Sequence, residues 1–509
     1  MKYYLGIDNG GTTIKAALYT RYGKEVGVVS ASTKVFVDKP GFVEREMEEM
    51  WKDNCCVIRE LLEKTAIDPK SIACIACCGH GKGLYLWGKN GKPAYRGILS
   101  ADTRAAEYAA KWIADGTLNR IYDKTYQNIL ACQPVALIAW LKDHEPDVIA
   151  HTQWIFACKD YIRFRLTGEA YGEITDFSGC NLLNLNTRNY DRELLTAFGL
   201  DNLYDQLPPL RGSDEICGTV SADAAAQTGL SEGTPVAGGL FDIDACALAV
   251  GVVDESHICM IAGTWSINEY IQKDPVVDGS VLMNSLFCLP GYYLIEESSP
   301  TSAGNNEWFI NTLLPELRYE AERNGKNIYD ITNEWVEAIS PYEFYPIFTP
   351  FLMASNVNPD AMASFIGLSN YHTRMHLTRS VYEGIAFSHR YHFEKLLCNH
   401  KYPLQSIRLA GGVAHSKQWA QMFASIMGYP VEVVSVAETG TLGCAIIAAV
   451  ADGIYPNLKD AVRNMTNVTE KVEPNFIQKK IYDKRYALYC QILNCLDPIW
   501  NAVKEMSSE

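Results

Sequence analysis

The stretch Tyr3-Tyr4-Leu5-Gly6-Ile7-Asp8-Asn9-Gly10-Gly11-Thr12-Thr13-Ile14-Lys15-Ala16-Ala17-Leu18-Tyr19 decides how the rest of the chain reads. An apolar run of strand length closes on the carboxylate of Asp8. Asn9-Gly10-Gly11 supply a tight turn, and the β-branched Thr12, Thr13 and Ile14 start a return strand. The pattern predicts a hairpin with a glycine tip. Its polar residues admit two readings. An Asn-Gly-Gly turn is an ordinary hairpin tip. The same segment also gathers a carboxylate, close backbone approach, two hydroxyls and the amine of Lys15, the mixture a metal-bound polyphosphate requires.

Outward from this hairpin the chain alternates. A further strand is predicted over residues 24–30, and an amphipathic helix over 46–65, with Met47, Met50, Trp51, Val57, Leu61 and Leu62 on one face. A buried strand follows over 71–78 and ends in Gly79-His80-Gly81-Lys82-Gly83. Strands alternating with helices point to a layered α/β architecture. The same grammar returns later: a strand over 257–262, a turn at Gly263-Thr264, and a return strand over 265–272. This order predicts an internal structural duplication, with one domain over 1–247 and a second over 248–509. Near the end, the strand 407–410 runs into Gly411-Gly412-Val413-Ala414-His415-Ser416 and then a helix over 418–427. Strand, glycine turn and helix start present free backbone N–H groups to a phosphate or a planar base.

The 509 residues suit two to four domains at roughly 150 residues each. Hydrophobic residues at 48% and charged residues at 21% exclude wholesale disorder, collagen and coiled coil. The net charge of -15 has the wrong sign for a nucleic-acid surface, whereas a small anion can still bind at turns and helix starts. Sixteen cysteines in a long chain that opens directly on a strand, without a leader pattern, suggest a reducing cytoplasm rather than a disulfide framework. The longest apolar stretches, about ten residues, fall short of the ~20 that span a bilayer. The expected partners are therefore neither nucleic acid nor membrane, and homodimerisation is left open.

Several residues could carry chemistry. Gly238-Gly239-Leu240-Phe241-Asp242-Ile243-Asp244 follows a strand over 235–237 and precedes a small-residue helix beginning near Ala245. A carboxylate there can take a proton from a hydroxyl, or Asp242 or Asp244 can cap the helix. Asp102 and Arg104 sit at another strand-to-helix turn, and Lys82 in a glycine loop. These can bind a polyol or serve as surface and cap charges. Cys74 and Cys77 form a C-x-x-C inside an apolar strand, which reads as buried thiols more readily than as zinc ligands. The P-loop, G-x-G-x-x-G, H-E-x-x-H and kinase H-R-D motifs are all missing.

Assembled, these segments resemble the FGGY carbohydrate kinase family of the actin-like ATPase superfamily, over nearly the whole chain. The first phosphate segment falls on residues 8–15, the second on Ala262-Gly263-Thr264-Trp265, and the adenosine segment on residues 410–416 with Trp419 following. The most specific match is Ala363-Ser364-Phe365-Ile366-Gly367-Leu368, a seven-residue spacer, then His376-Leu377-Thr378-Arg379-Ser380-Val381-Tyr382-Glu383. A shorter signature at 133–141 has Ala136 where the family has lysine. The resemblance implies two ribonuclease-H-like α/β domains facing across a catalytic cleft, sugar held mainly by the first and ATP mainly by the second. It puts Asp242 at the general-base position. Asp8 and Asp242 would organise Mg²⁺, partly through water. Gly10, Gly11, Thr12, Thr13, Lys15, Gly263, Thr264, Gly411, Gly412, Val413, Ala414 and Ser416 fall on the nucleotide segments. Asp244 is left as a helix N-terminal residue.

The family's sugar loops fall on 79–83 and 100–104, which makes His80, Lys82, Asp102, Arg104 and Asp242 the expected substrate contacts. Gly81-Lys82-Gly83 with Asp102-Thr103-Arg104 resembles kinases of L-xylulose more than those of D-xylulose or glycerol. The expectation is ATP-dependent phosphorylation of a small ketose of that kind. The alternatives are another sugar or polyol (D-xylulose, ribulose, glycerol or erythritol) and a non-kinase actin-like ATPase.

Overall fold

The computed structural model describes the whole chain except Thr264, Ala354, Ser435, Ala437 and Glu509. It resolves into two compact units, each assembled from three segments: Met1–Val253, Ile271–Ile295 and Val436–Asn467 in one, Asp254–Tyr270, Glu296–Ser435 and Val468–Glu509 in the other.

The first unit is built on a sheet with strand order Ile216–Thr219, Pro235–Ala237, Ile72–Gly79, Tyr3–Asn9, Thr13–Thr20, Glu25–Ser32. Tyr3–Asn9 pairs antiparallel with Thr13–Thr20 and parallel with Ile72–Gly79, which sets Asp8 opposite Lys15 on one side and Cys78 on the other. The predicted hairpin is there, its return strand starting one residue later than its β-branched run. Thr12 belongs to the tip, where its carbonyl accepts a hydrogen bond from the N–H of Thr33 at 2.9 Å. The helix Met47–Thr65 buries Met47, Met50, Trp51, Val57, Ile58 and Leu61 at helical spacing in the core beneath this sheet, as its amphipathic pattern requires.

The second unit repeats the plan. Ser266–Gln272 pairs antiparallel with His257–Ala262, which runs parallel to Ser406–Ala410. That strand is parallel to Val431–Val434, and Val468–Val472 closes antiparallel. An antiparallel hairpin, two parallel strands and an antiparallel edge are thus common to both units, the duplication expected from element order. No helix among the described residues is long and apolar enough to cross a membrane.

One helix controls the site in the first unit. Thr439–Ala451 carries small residues so that it can lie directly on the neighbouring backbones. A Cβ at Gly6 would sit 2.0 Å from the Thr441 carbonyl oxygen, and one at Gly443 would sit 2.3 Å from that of Ala245. A methyl group at either place would force packed backbones apart, at a cost of about 1–3 kcal/mol or more. This contact carries the start of the helix to Asp8.

Candidate active site

Asp242 opens the helix Asp242–Ala249 as its first residue, with Phe241 as N-cap. The helix therefore begins three residues before the expected Ala245, and Asp244 lies in its first turn, fully buried, accepting the backbone N–H of Cys288 at 3.1 Å. The approach to Asp242 is held rigidly. Gly239 has φ 82° and no room for a Cβ, which would stand 2.0 Å from the Cys77 carbonyl oxygen. Arg163 donates to the Gly238 carbonyl at 2.5 Å, and the N–H of Phe241 donates to the Thr175 hydroxyl at 2.9 Å. Burial and the negative charges of Asp8 and Asp176 push the Asp242 carboxyl well above the usual range. The Lys82 ammonium and the Ile243 N–H oppose this. A half-buried carboxylate with raised proton affinity suits a base that takes a hydroxyl proton.

Asp8 stands at the end of its strand with Oδ1 buried and without a hydrogen-bond partner. Burial raises its proton affinity, while Lys15 and the Cys78 thiol lower it. Gly440 presses against its other oxygen, since an added Cβ would lie 2.5 Å from Oδ2. Lys15 is paired with Glu438 at 2.5 Å. Gly10 and Gly11 form the tip, beside the exposed Thr12 and half-buried Thr13. An orphaned carboxylate oxygen is what a hard cation such as Mg²⁺ would satisfy. Among the described residues no cluster of three or more His, Cys, Asp or Glu forms a protein cage. An ion that takes one or two carboxylates and completes its shell with water and phosphate fits this donor set.

In the loop after Ile72–Gly79, Lys82 adopts φ 60°, a conformation uncommon for a side chain other than glycine, and its ammonium lies 5.4 Å from the centre of the Phe241 ring. Strain of this kind marks positions where the side chain's direction matters. His80 is buried. Its Nε2 meets the Tyr85 hydroxyl at 2.7 Å and its Nδ1 the Gly81 carbonyl at 3.3 Å, and burial with the Arg45 charge pushes it down to about 3. Asp102 and Arg104 are turned on each other. Arg104 Nη2 lies 2.7 Å from Asp102 and 2.6 Å from Glu44, with the guanidinium over Phe42, and Asp102 also accepts from the backbone N–H groups of Arg104 at 2.9 Å and Val43 at 2.7 Å. Their charges are spent inside the loop scaffold.

The second unit holds a cavity of about 790 Å³ whose lining includes Ala262, Gly263, Asn306, Asn333, Tyr382, Gly412, Ser416 and Trp419. Gly411 shapes it: its φ is 88°, and a Cβ would sit 2.6 Å from the Ala262 carbonyl oxygen, so the turn folds back over the end of the adjacent strand. Gly263 and Gly412 have open space where a Cβ would be. Val413 is buried beneath the short turn, and the Ala414 N–H donates to Gly411 at 3.0 Å. Ser416 caps the helix Lys417–Met427 and donates to Asn333 at 2.7 Å. Tyr382 stacks on Trp419 with ring centres 4.0 Å apart. The aromatic pair and the side-chain amides give the lining both apolar and hydrogen-bonding surface. Thr264 lies outside the described residues.

Sequence reading overlooked Arg45, Asp176, Asn306 and Asn333, and named Tyr382 only within the family signature. Asp176 sits in a fully buried network in which Lys159 bridges it at 3.0 Å to Asp160 and Glu173, each at 3.3 Å. The one signal was a Lys159-Asp160 pair inside an otherwise apolar segment. Arg45, in Glu44-Arg45-Glu46, reads as surface charge.

Two duplicated α/β units, one with Asp8 and Asp242 at a strand end and a helix start and the other with a cavity of about 790 Å³, have the architecture of an actin-like sugar kinase. Models of the FGGY family of carbohydrate kinases match its N-terminal domain to residues 3–249 and its C-terminal domain to 258–451, and the chain belongs to that family. It is 35% identical over 506 residues to the L-xylulose/3-keto-L-gulonate kinase of Escherichia coli K12, covering 99% of both chains. Among solved structures it is similar to a ligand-bound xylulose kinase of Lactobacillus acidophilus, with TM-score 0.89, 25% identity and coverage of 99% and 100%. A gluconate kinase of the same organism matches with TM-score 0.88 at 25% identity, covering 99% of each chain.

Proposed function

We propose that this carbohydrate kinase transfers the γ-phosphate of ATP to a hydroxyl of a small ketose of the L-xylulose kind. The observation that carries this reading is Asp242, held at a helix start with raised proton affinity and facing the Lys82 loop. Asp242 would accept the hydroxyl proton as the oxygen attacks phosphorus. Lys82 would orient a substrate oxygen, and the Gly10-Gly11 and Gly263 turns would bring backbone to the phosphates. Asp8 would hold Mg²⁺, with Asp242 reaching it through water, and the ion's contribution would be to neutralise charge on the phosphates. His80, Asp102 and Arg104, engaged within the protein, would shape the sugar loops from behind. Sixteen cysteines in a chain of this length would suit a reducing cytoplasm.

A second reading is favoured by the Lys82 ammonium beside the base: a sugar acid whose carboxylate pairs with it. The Escherichia coli relative, named for 3-keto-L-gulonate as well as L-xylulose, and the gluconate kinase carry the names of such acids. Coupled ADP release with L-xylulose, D-xylulose, L-ribulose, D-ribulose, glycerol, erythritol and 3-keto-L-gulonate tests both. Release above background with L-xylulose supports the first reading, and silence with every sugar would sink it. Lys82→Met is expected to raise KM about tenfold for a neutral ketose and about 100-fold for an acid, whose ion pair it removes.

A further inference from the structure

Arg45 is a buried cation set beneath the glycine tip of the first hairpin. It is 1% exposed, and among the described residues its hydrogen bonds run from Nη2 to the Gly10 carbonyl at 2.9 Å and the Gly11 carbonyl at 2.7 Å. Its Nε and Nη1 are buried and make none. Its hydrogen bonds therefore go to two carbonyl dipoles, not to a carboxylate. In a trans peptide the C=O and the next N–H point in opposite directions. Holding the carbonyls of Gly10 and Gly11 therefore fixes the N–H groups of Gly11 and Thr12 away from Arg45. That side is open: nothing lies within 4 Å of a Cβ placed at Gly11, and Thr12 is exposed.

The strand Glu44–Arg45 gives the clamp its second connection. Neighbouring residues on a strand face opposite ways. Glu44 binds Arg104 of the Asp102–Arg104 pair while Arg45 reaches the hairpin tip. The charge of Arg45 is also felt by His80, whose backbone N–H donates to the Asn9 carbonyl at 3.0 Å. One two-residue strand ties the phosphate turn to both sugar loops.

We propose that Arg45 is a positioning residue for phosphoryl transfer: it clamps the glycine tip from beneath so that the Gly11 and Thr12 N–H groups face the nucleotide's phosphates, and it adds a buried positive charge there. This rests on the kinase reading above. Fixed donors and charge in a site of low polarity act on the transition state without reorganising.

The test compares wild type, Arg45→Met and Arg45→Lys for kcat, KM for ATP, KM for the sugar, and melting temperature. Arg45→Met is expected to lower kcat about 10- to 100-fold and raise KM for ATP, with KM for the sugar within about twofold. Arg45→Lys, which keeps the charge but cannot hold two carbonyls in one plane, should fall between, and guanidinium ion should restore part of the Arg45→Met turnover. Wild-type kcat and KM for ATP in a folded Arg45→Met enzyme would overturn the proposal. If that variant does not fold, Arg45→Lys decides, and unchanged kinetics there overturn it equally. Should the wild type turn over no sugar, the kinase reading fails separately. Mg²⁺-ATP affinity then decides, and equal affinity in wild type and variant overturns the clamp.

Discussion

Asp242→Asn is expected to reduce kcat by about 10³-fold while leaving Mg²⁺-ATP affinity within about threefold. The asparagine keeps the size and the helix-start position but cannot take a proton. A sugar hydroxyl is a poor nucleophile until that proton has somewhere to go. Retained nucleotide binding separates this from general damage, and a variant with more than a tenth of wild-type turnover would remove Asp242 from the base role. The pH profile offers an independent check. If Asp242 is the base its reactive form is the carboxylate, and burial with Asp8 and Asp176 raises its proton affinity. The acid limb of kcat/KM for the sugar should therefore lie at higher pH than an ordinary carboxylate would give, activity falling as the pH drops through it. Lys82 holds this group down. In Lys82→Met the limb should move further up. A limb that stays put would show that the two do not interact.

The second large effect is expected at Asp8. Asp8→Asn should lower kcat about 10²- to 10³-fold and raise the Mg²⁺ concentration needed for half activity. Its Oδ1 is buried and unpartnered, so in the protein alone it has nothing to bind; a carboxamide there would offer a cation a neutral oxygen in place of a charged one. Gly440→Ala should act in the same direction more weakly, because its methyl would stand 2.5 Å from Oδ2 and turn the carboxylate. Mg²⁺ titration of turnover in both variants checks this. An unchanged half-saturating Mg²⁺ concentration in Asp8→Asn would argue against metal contact at Asp8.

Much of the fold was legible from periodicity. The hairpins, the amphipathic helix Met47–Thr65 and the strand–glycine–helix turn at Gly411 came directly from apolar spacing and glycine placement. Their elements begin within one or two residues of expectation. The helix at Asp242 was the exception. Its start was expected at the small residues, but Phe241 can act as N-cap because its backbone N–H is satisfied by Thr175, 66 residues earlier. No local pattern reports such a bond. The same limit applies to Arg45, Asp102 and Arg104. Charged residues near glycines look alike in sequence whether they meet solvent, a ligand or one another.

The sequence by itself determined the α/β class, the doubled hairpin plan, the FGGY resemblance, and Asp8 and Asp242 as the carboxylates to watch. The class and the hairpin plan are properties of local spacing, which residues a few positions apart decide through the strand and helix periods, whereas the choice of Asp8 and Asp242 is what the family resemblance implies. Only the tertiary structure decided which charges are spent inside the protein and which remain for chemistry. It set Asp102 against Arg104, closed both nitrogens of His80, left one oxygen of Asp8 without a partner, and put Arg45 beneath the glycine tip. The physical reason is that electrostatic work depends on distance and burial between groups far apart in the chain, and only the packed backbone supplies either.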